Sequence, residues 1–406
     1  MDTADLLRQL VEARGPSGYE AELRGIAGER LGEFADDLRV DALGNLIALK
    51  RGEGEGPRPS LMLAGHMDEI ALIVSGLEKG FLRVSRIGGF DPRVLFGQRV
   101  TVHGRRELPG MVVSVPPHFT APAEREKPVS LDKLFVDVGL PPDEVERHVR
   151  VGDVITLRAR MLNLNGTYAA CKAMDDRASV AAIVLCLEEL ARRRHSWDVY
   201  AVATAQEETG CIGAGVGAFG IEPTAAVAID VTFGQQPGVS GPETFRMDAG
   251  PTIVLGPNIH PRMFDRLVAA AKAVELPYQV ETAPGNSGTD AWSIQVARSG
   301  IPTGLLGIPV RSMHTPVETV SLRDVERTAR LLAEFITRLD DGFAHTLVVK
   351  DAFAAAPPAA AAAEPKGRPS DVPVSADLGP SLAVGRPSGA PVGAGPGPSL
   401  AREGSS

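Results

Sequence analysis

Residues 199–210 read VYAVATAQEETG. A short apolar run with no polar alternation has the pattern of a strand buried on both faces, as parallel strands of an α/β sheet are. Here the run stops abruptly in two adjacent glutamates, Glu207 and Glu208. Acids at the carboxyl end of such a strand lie where open α/β sheets place their ligands. Neighbouring side chains diverge, so one glutamate can bind a metal ion while the other faces a water as general base. A solvated acidic turn is the competing reading, and the sharp switch from apolar strand to Glu-Glu weighs against it.

Four other segments repeat the pattern. SLMLAG, residues 60–65, reads as a buried strand and is followed by His66-Met67-Asp68-Glu69. A carboxylate two residues after a ligand imidazole can hydrogen-bond it and fix its tautomer. Met174-Asp175-Asp176-Arg177 precedes a helical stretch at 176–194 whose acidic start and basic end suit the helix dipole. One of those aspartates can cap or orient while the other binds metal, and a plain N-cap would also account for them. Ala228-Ile229-Asp230-Val231 is an apolar strand ending in an acid, and Met313-His314-Thr315-Pro316 follows the strand-like TGLLGIPV. Each segment alone fits a cap or a satisfied core residue. Together they bring imidazoles and carboxylates to strand ends, a donor set suited to zinc, cobalt or manganese. Two such ions can activate a bridging water, with a nearby Glu moving the proton.

The rest of the chain alternates helix and strand around these segments. An amphipathic helix carrying Leu6, Leu7, Leu10 and Val11 opens the chain, and a second covers 19–34. Strands follow at 37–40 and 45–49, later ones at 199–205, 225–229 and 303–307, and helices at 261–274 and 322–339. From 76 to 160 short β-rich runs such as FLRVSRI and QRVTVHG alternate with Gly and Pro turns, predicting an inserted β-barrel or sandwich. The fold class is therefore α/β, a sheet flanked by helices with an inserted β-rich domain. Residues 351–406 are dominated by Ala, Pro, Gly and Ser, the composition of a disordered tail.

Bulk properties exclude other classes. The net charge of −9 over 406 residues argues against a nucleic-acid-binding surface. No secretory signal and no long apolar span are visible, so no membrane partner is expected. Cys171, Cys186 and Cys211 lack metal-finger spacing and fit a reducing cytoplasm.

In the same order along the chain, GHMDE, MDDR, QEETG, IDV and HTP resemble the five metal-site motifs of the tetrahedral-aminopeptidase family, dinuclear metallopeptidases that include glutamyl aminopeptidases. IGGFDPRVLFGQRV, SVPPHF, LFVDVG, VGDVITL and GNSGTDAW resemble it as well. The resemblance implies a catalytic domain of the dinuclear zinc-peptidase type at 1–75 and 164–345, with a mixed sheet, and an inserted barrel-like dimerisation or lid domain at 76–163. It further implies two divalent ions per subunit, zinc or cobalt with manganese as an alternative. His66 would bind one and His314 the other, Asp175 would bridge them, and Glu208 and Asp230 would complete the set. Glu207 would be the general base, Asp68 the partner of His66, and Thr289 and Asp290 would lie near the substrate. The Asp175–Asp176 peptide is expected to be cis. Peptide substrates and homo-oligomers, dimers and often twelve-subunit particles, are implied too.

Three other functions use related parts. A deblocking aminopeptidase or deacylase would share the metal site. An endoglucanase could use paired carboxylates without metal, but only two tryptophans, Trp197 and Trp292, are present to stack on sugars. A non-catalytic scaffold would be expected to have lost Glu207 or a ligand, and none is replaced.

Overall fold

The computed structural model describes residues 1–125 and 127–348; the tail expected at 351–406 lies outside the described residues. At its centre four strands run parallel side by side: Asp198–Thr204, Ser60–His66, Ala225–Phe233 and Thr303–Arg311. Antiparallel strands extend them on both sides into a mixed sheet of eleven. The middles of the central strands are largely apolar because helices cover both faces. Leu61, Leu63, Val199, Ala201 and Val227 face one core, while Met62, Ala64, Val202 and Ala228 face a second.

The helix Met174–Leu190 lies against the first of these faces and packs on the amphipathic helix Leu322–Thr337. Nearly all of its side chains are buried, so it carries no polar face and its sequence shows little helical periodicity. Its expected basic end lies outside it: the helix stops at Leu190, and Arg192–Arg194 follow in a turn. The opening helix Thr3–Glu12 buries Leu6, Leu7, Leu10 and Val11 as its periodicity predicts, with the Asp2 side chain capping it through Asp5 N. Two strands are longer than expected. Ala225–Phe233 and Thr303–Arg311 run on past 229 and 307, since Val231-Thr232-Phe233 and Ile308-Pro309-Val310 continue the pairing.

The β-rich insertion is a barrel rather than a sandwich. Six antiparallel strands close in the order Ala71–Glu78, Phe81–Ile87, Leu134–Asp137, Glu107–Ser114, Arg99–His103 and Val154–Leu157. Alternate residues such as Leu82, Val84, Val100 and Val102 point inward and fill it. After Phe81–Ile87 the chain turns through Gly88-Gly89 over the carboxyl ends of the central strands. The tolerance there is small. A Cβ on Gly88, whose φ is +77°, would lie 2.7 Å from Ile70 Cγ2, and one on Gly89 would lie 3.0 Å from His314 Nδ1. Among the described residues, no helix is long and apolar enough to cross a membrane.

Candidate active site

The four parallel strands deliver their carboxyl ends to one place, and the site residues follow from that register. His66 ends its strand opposite Thr204, and Glu207 and Glu208 lie in the turn just after Thr204. Asp230 sits within its strand opposite Gly307, so it is not a strand-end residue as the sequence pattern predicts. His314 lies in the loop after Thr303–Arg311.

Asp175 occupies the middle. Its Oδ1 is 3.0 Å from His66 Nε2 and its Oδ2 is 3.2 Å from His314 Nε2. Donor atoms of His66, Asp175 and Asp230 lie within 4.8 Å of one another, as do those of Asp175, Glu208 and His314. Two clusters of ligand-type atoms thus share one carboxylate. Neither contains a thiol, and imidazole with carboxylate suits borderline divalent ions. The peptide joining Asp175 to Asp176 is cis. Neither aspartate caps the helix: Asp176 Oδ2 accepts from His66 N at 3.2 Å, and its Oδ1 accepts from Ser179 Oγ.

The electrostatics ask for cations. Burial, reinforced by the charge of Asp175, pushes Glu208 well above the ordinary carboxylate range, and burial with Asp176 does the same to Asp230. Burial would also raise Asp175, but hydrogen bonds from His314 and His66 outweigh it and hold its carboxyl low. Burial alone would lower His66; Glu207, Asp175 and Asp68 reverse this and raise it well above its usual value. Among the described residues, neither lysine nor arginine pairs with any of these carboxylates; their only cationic partners are the two imidazoles. Buried like charges of this kind require either protonation or metal. The residues present therefore fit a pair of divalent ions.

Glu207 stands beside rather than inside the two clusters. Its Oε2 is 3.7 Å from His66 Nε2, and its Oε1 accepts from Cys211 Sγ at 3.1 Å. Burial raises it above the ordinary carboxylate value despite the pull of His66. Asp68 does more than the sequence predicts. Its backbone carbonyl faces His66 Nδ1 at 3.1 Å with its Oδ1 at 3.5 Å. Its two carboxylate oxygens accept the backbone N–H groups of Glu207 and Glu208 at 3.0 and 3.1 Å. One side chain thereby couples the imidazole to both glutamates.

Two groups of residues lay beyond sequence reasoning. Glu318 is 1% exposed and pairs with no cation among the described residues. Its Oε2 accepts from Asp175 N at 3.1 Å and its Oε1 from His314 N at 2.8 Å. The available signal was an acid four residues after His314, inside the strand-like VETVS. Behind the site, Glu69 is 2.8 Å from Lys172 Nζ and 3.0 Å from Arg177 Nη2, all three buried. Arg177 also donates to the carbonyls of Leu10, Ala13 and Met67. It is the nearest guanidinium in sequence to Asp175, and it is turned away from the clusters.

A cavity of about 700 Å³ opens over the two clusters, reaching from Gly89 to Glu281 and Trp292. Thr289 lines it, whereas Asp290 is buried beneath, its Oδ2 accepting from Thr204 Oγ1 at 2.5 Å. Burial and the charge of Glu207 push Asp290 up to about 7.

Comparison with known proteins bears on this arrangement. The sequence profile of the family described as M42 glutamyl aminopeptidase matches residues 44–331. A lysyl aminopeptidase of Pyrococcus furiosus is 36% identical over 341 residues, 82% of this chain and 97% of that protein. The crystal structure of a TET aminopeptidase from a marine sediment Thaumarchaeota archaeon superposes with a TM-score of 0.81 at 33% identity, covering 85% of this chain and 98% of that one. A structure described as the Pyrococcus horikoshii TET1 peptidase, able to assemble into a tetrahedron or a large octahedral shell, gives 0.74 at 28% identity over 83% of this chain and 100% of the other.

Proposed function

The chain belongs to the M42 glutamyl aminopeptidase family, and from that premise we propose a dinuclear metal-dependent aminopeptidase acting on free peptide N-termini. The observation that carries this reading is the shared Asp175. One carboxylate oxygen is turned to each imidazole, with Asp230 on one side and Glu208 on the other. His66, Asp175 and Asp230 would hold one ion, and Asp175, Glu208 and His314 the second. Zinc, cobalt and manganese all suit these donors.

When bound, the ions supply Lewis acidity toward the scissile carbonyl and make a water acidic enough to react near neutrality. The protein moves the proton. Glu207, oriented by the grip of Asp68 on its backbone, takes a proton from the attacking water and returns it to the departing amine. Asp68 keeps His66 and the glutamate turn in fixed relation, so the base and the ligands cannot drift apart. The Gly88-Gly89 turn closes the barrel side of the cavity, in keeping with a lid role for the inserted domain, which is expected at 76–163 between catalytic parts at 1–75 and 164–345 and whose first barrel strand starts earlier, at Ala71. By analogy with the shell-forming relative, the chain assembles as a homo-oligomer.

The test combines metal analysis with a substrate panel. The full chain should bind two divalent ions and cleave free aminoacyl p-nitroanilides, with activity lost to a chelator. Glu207→Gln should keep both ions and lose about 10²–10⁴-fold in kcat, the usual share of a positioned base. Cleavage confined to N-acetylated substrates would replace this reading with a deblocking or deacylating one. Full activity in Glu207→Gln would remove the proposed base.

A further inference from the structure

An aminopeptidase is selective through the side chain of the residue whose carbonyl lies at the ligands, so the cavity wall beside those ligands sets the preference. That wall is built around Glu281. Asp230 and Thr232 stand two residues apart on the strand Ala225–Phe233, so their side chains leave the same face about 7 Å apart. Both line the cavity. Thr232 Oγ1 donates to Glu281 Oε1 at 3.1 Å, and Thr252 Oγ1 donates to Glu281 Oε2 at 2.7 Å.

Gly307 makes this convergence possible. It pairs with Asp230 on one neighbouring strand and with Thr252 on the other. A Cβ there would lie 2.4 Å from Thr252 Oγ1 and 3.0 Å from Thr232 Cγ2. Its missing side chain leaves a trough in which two hydroxyls hold one carboxylate at the cavity wall. Val254 and Leu305 supply apolar wall nearby, and both line the same space. Among the described residues, no lysine, arginine or histidine forms an ion pair or hydrogen bond with Glu281. A largely buried carboxylate with two hydroxyl donors and no counter-cation is electrostatically incomplete.

We infer that Glu281 selects substrates whose N-terminal residue is lysine or arginine. This rests on the aminopeptidase reading above. The aliphatic stem of such a side chain lies on Val254 and Leu305, and its charged head reaches Glu281 in a charge-assisted hydrogen bond. An acidic first residue meets repulsion at the same point. An apolar one leaves the carboxylate desolvated and unpaired.

The experiment measures kcat/KM of the metal-loaded full chain on lysyl, arginyl, leucyl and glutamyl p-nitroanilides. Lysyl and arginyl substrates should lead. In Glu281→Gln the lysyl-to-leucyl ratio should fall about tenfold to a hundredfold, the loss expected when a charged hydrogen bond becomes neutral. That fall should come chiefly through KM, with leucyl cleavage rising rather than falling. Glu281→Lys should shift the preference toward glutamyl substrates. In a Glu207→Gln background, which stops turnover, calorimetry should show the same change of ratio in dissociation constants. A wild-type preference for leucyl or glutamyl substrates, or ratios unchanged in both Glu281 variants, would overturn the selectivity while leaving the peptidase reading in place. No cleavage of any free-amine substrate in any metal state would overturn that reading and this inference with it.

Discussion

Buried carboxylates around Asp175 divide into two kinds by what faces them, and the division decides what a substitution does. Asp175, Glu208 and Asp230 face one another and the imidazoles. Glu318 faces backbone, its two oxygens spanning Asp175 N and His314 N. A glutamine at 318 keeps only one acceptor oxygen, so its amide NH2 must point at one of those N–H groups. That leaves a buried donor unsatisfied at a cost of about 1–3 kcal/mol. It also loosens the shared carboxylate of Asp175 and the imidazole of His314 together. Glu318→Gln should therefore weaken metal binding by about 10–100-fold, the range typical of a residue that orients ligands. A competition titration against a chromogenic chelator measures this, and affinity equal to wild type would show that Glu318 only fills space. None of this was visible in the sequence, where Glu318 is one acid in VETVS. Its two partners lie 143 and 4 residues away, and only the fold shows that one side chain reaches both. The candidate ligands stand out in the sequence because each lies in or just after an apolar strand or at the start of a helix, a contrast that needs no partner to be seen.

Between elements, the ion-paired triad of Glu69, Lys172 and Arg177 ties the strand Ser60–His66, the strand Tyr168–Cys171 and the helix Met174–Leu190 to the carbonyls that end the opening helix. Burial opposes the charge of Glu69, but Lys172 and Arg177 outweigh it and hold its carboxyl below the ordinary 4.5. Burial holds Lys172 low as well, with Glu69 pulling the other way. The carboxylate faces two cations and the Gly15 N–H, so its direction decides the pair. The sign follows. A depressed carboxyl contributes stability above its unfolded pKa, and that contribution is lost as pH falls through 4.5 toward the folded value. Glu69→Gln should cost about 3–5 kcal/mol at pH 7 because two buried cations lose their counter-charge. The gap to wild type should narrow when the pH is taken from 7 to below 4.5, where the contribution of this depressed carboxyl is progressively lost. Urea midpoints at the two pH values read this out, and an undiminished gap at the lower one would count against the triad. The sequence pattern shows the strand at 60–65, the opening helix and the long helix that the triad joins, but it gives no strand at Tyr168–Cys171 and carries the long helix too far. A basic end suits the helix dipole and predicts a helix running to residue 194, yet the helix stops at Leu190, and Arg193 and Arg194 pair instead with Glu334 and Glu53.

For the molecule as a whole, what was readable and what was not follow the range of the interactions. Strand-and-helix alternation is local, and it predicts an α/β sheet with a β-rich insertion. Closure of that insertion depends on Ala71–Glu78 pairing with Val154–Leu157, segments that begin 83 residues apart. Inward-outward alternation is the same in a barrel and a sandwich, so the pattern alone left both open. The candidate metal ligands are equally non-local: they come from the ends or middles of five segments between His66 and His314. Ions bound by such a set cross-connect the central strands, the long helix and the loop that carries His314, and they have no equivalent site in the unfolded chain. Binding then adds its full free energy to folding, about 4 kcal/mol when free metal exceeds Kd a thousandfold. In a domain of this size each kcal/mol moves the melting temperature by about 2 °C, so stripping the metal with a chelator should lower Tm by about 5–10 °C. Adding back zinc or cobalt should restore it, and Asp175→Asn, which damages both clusters, should melt near the stripped value with or without added metal. A stripped wild type that melts within about 1 °C of the loaded protein would mean that these side chains do not hold the ions, and the shared carboxylate would then need another role.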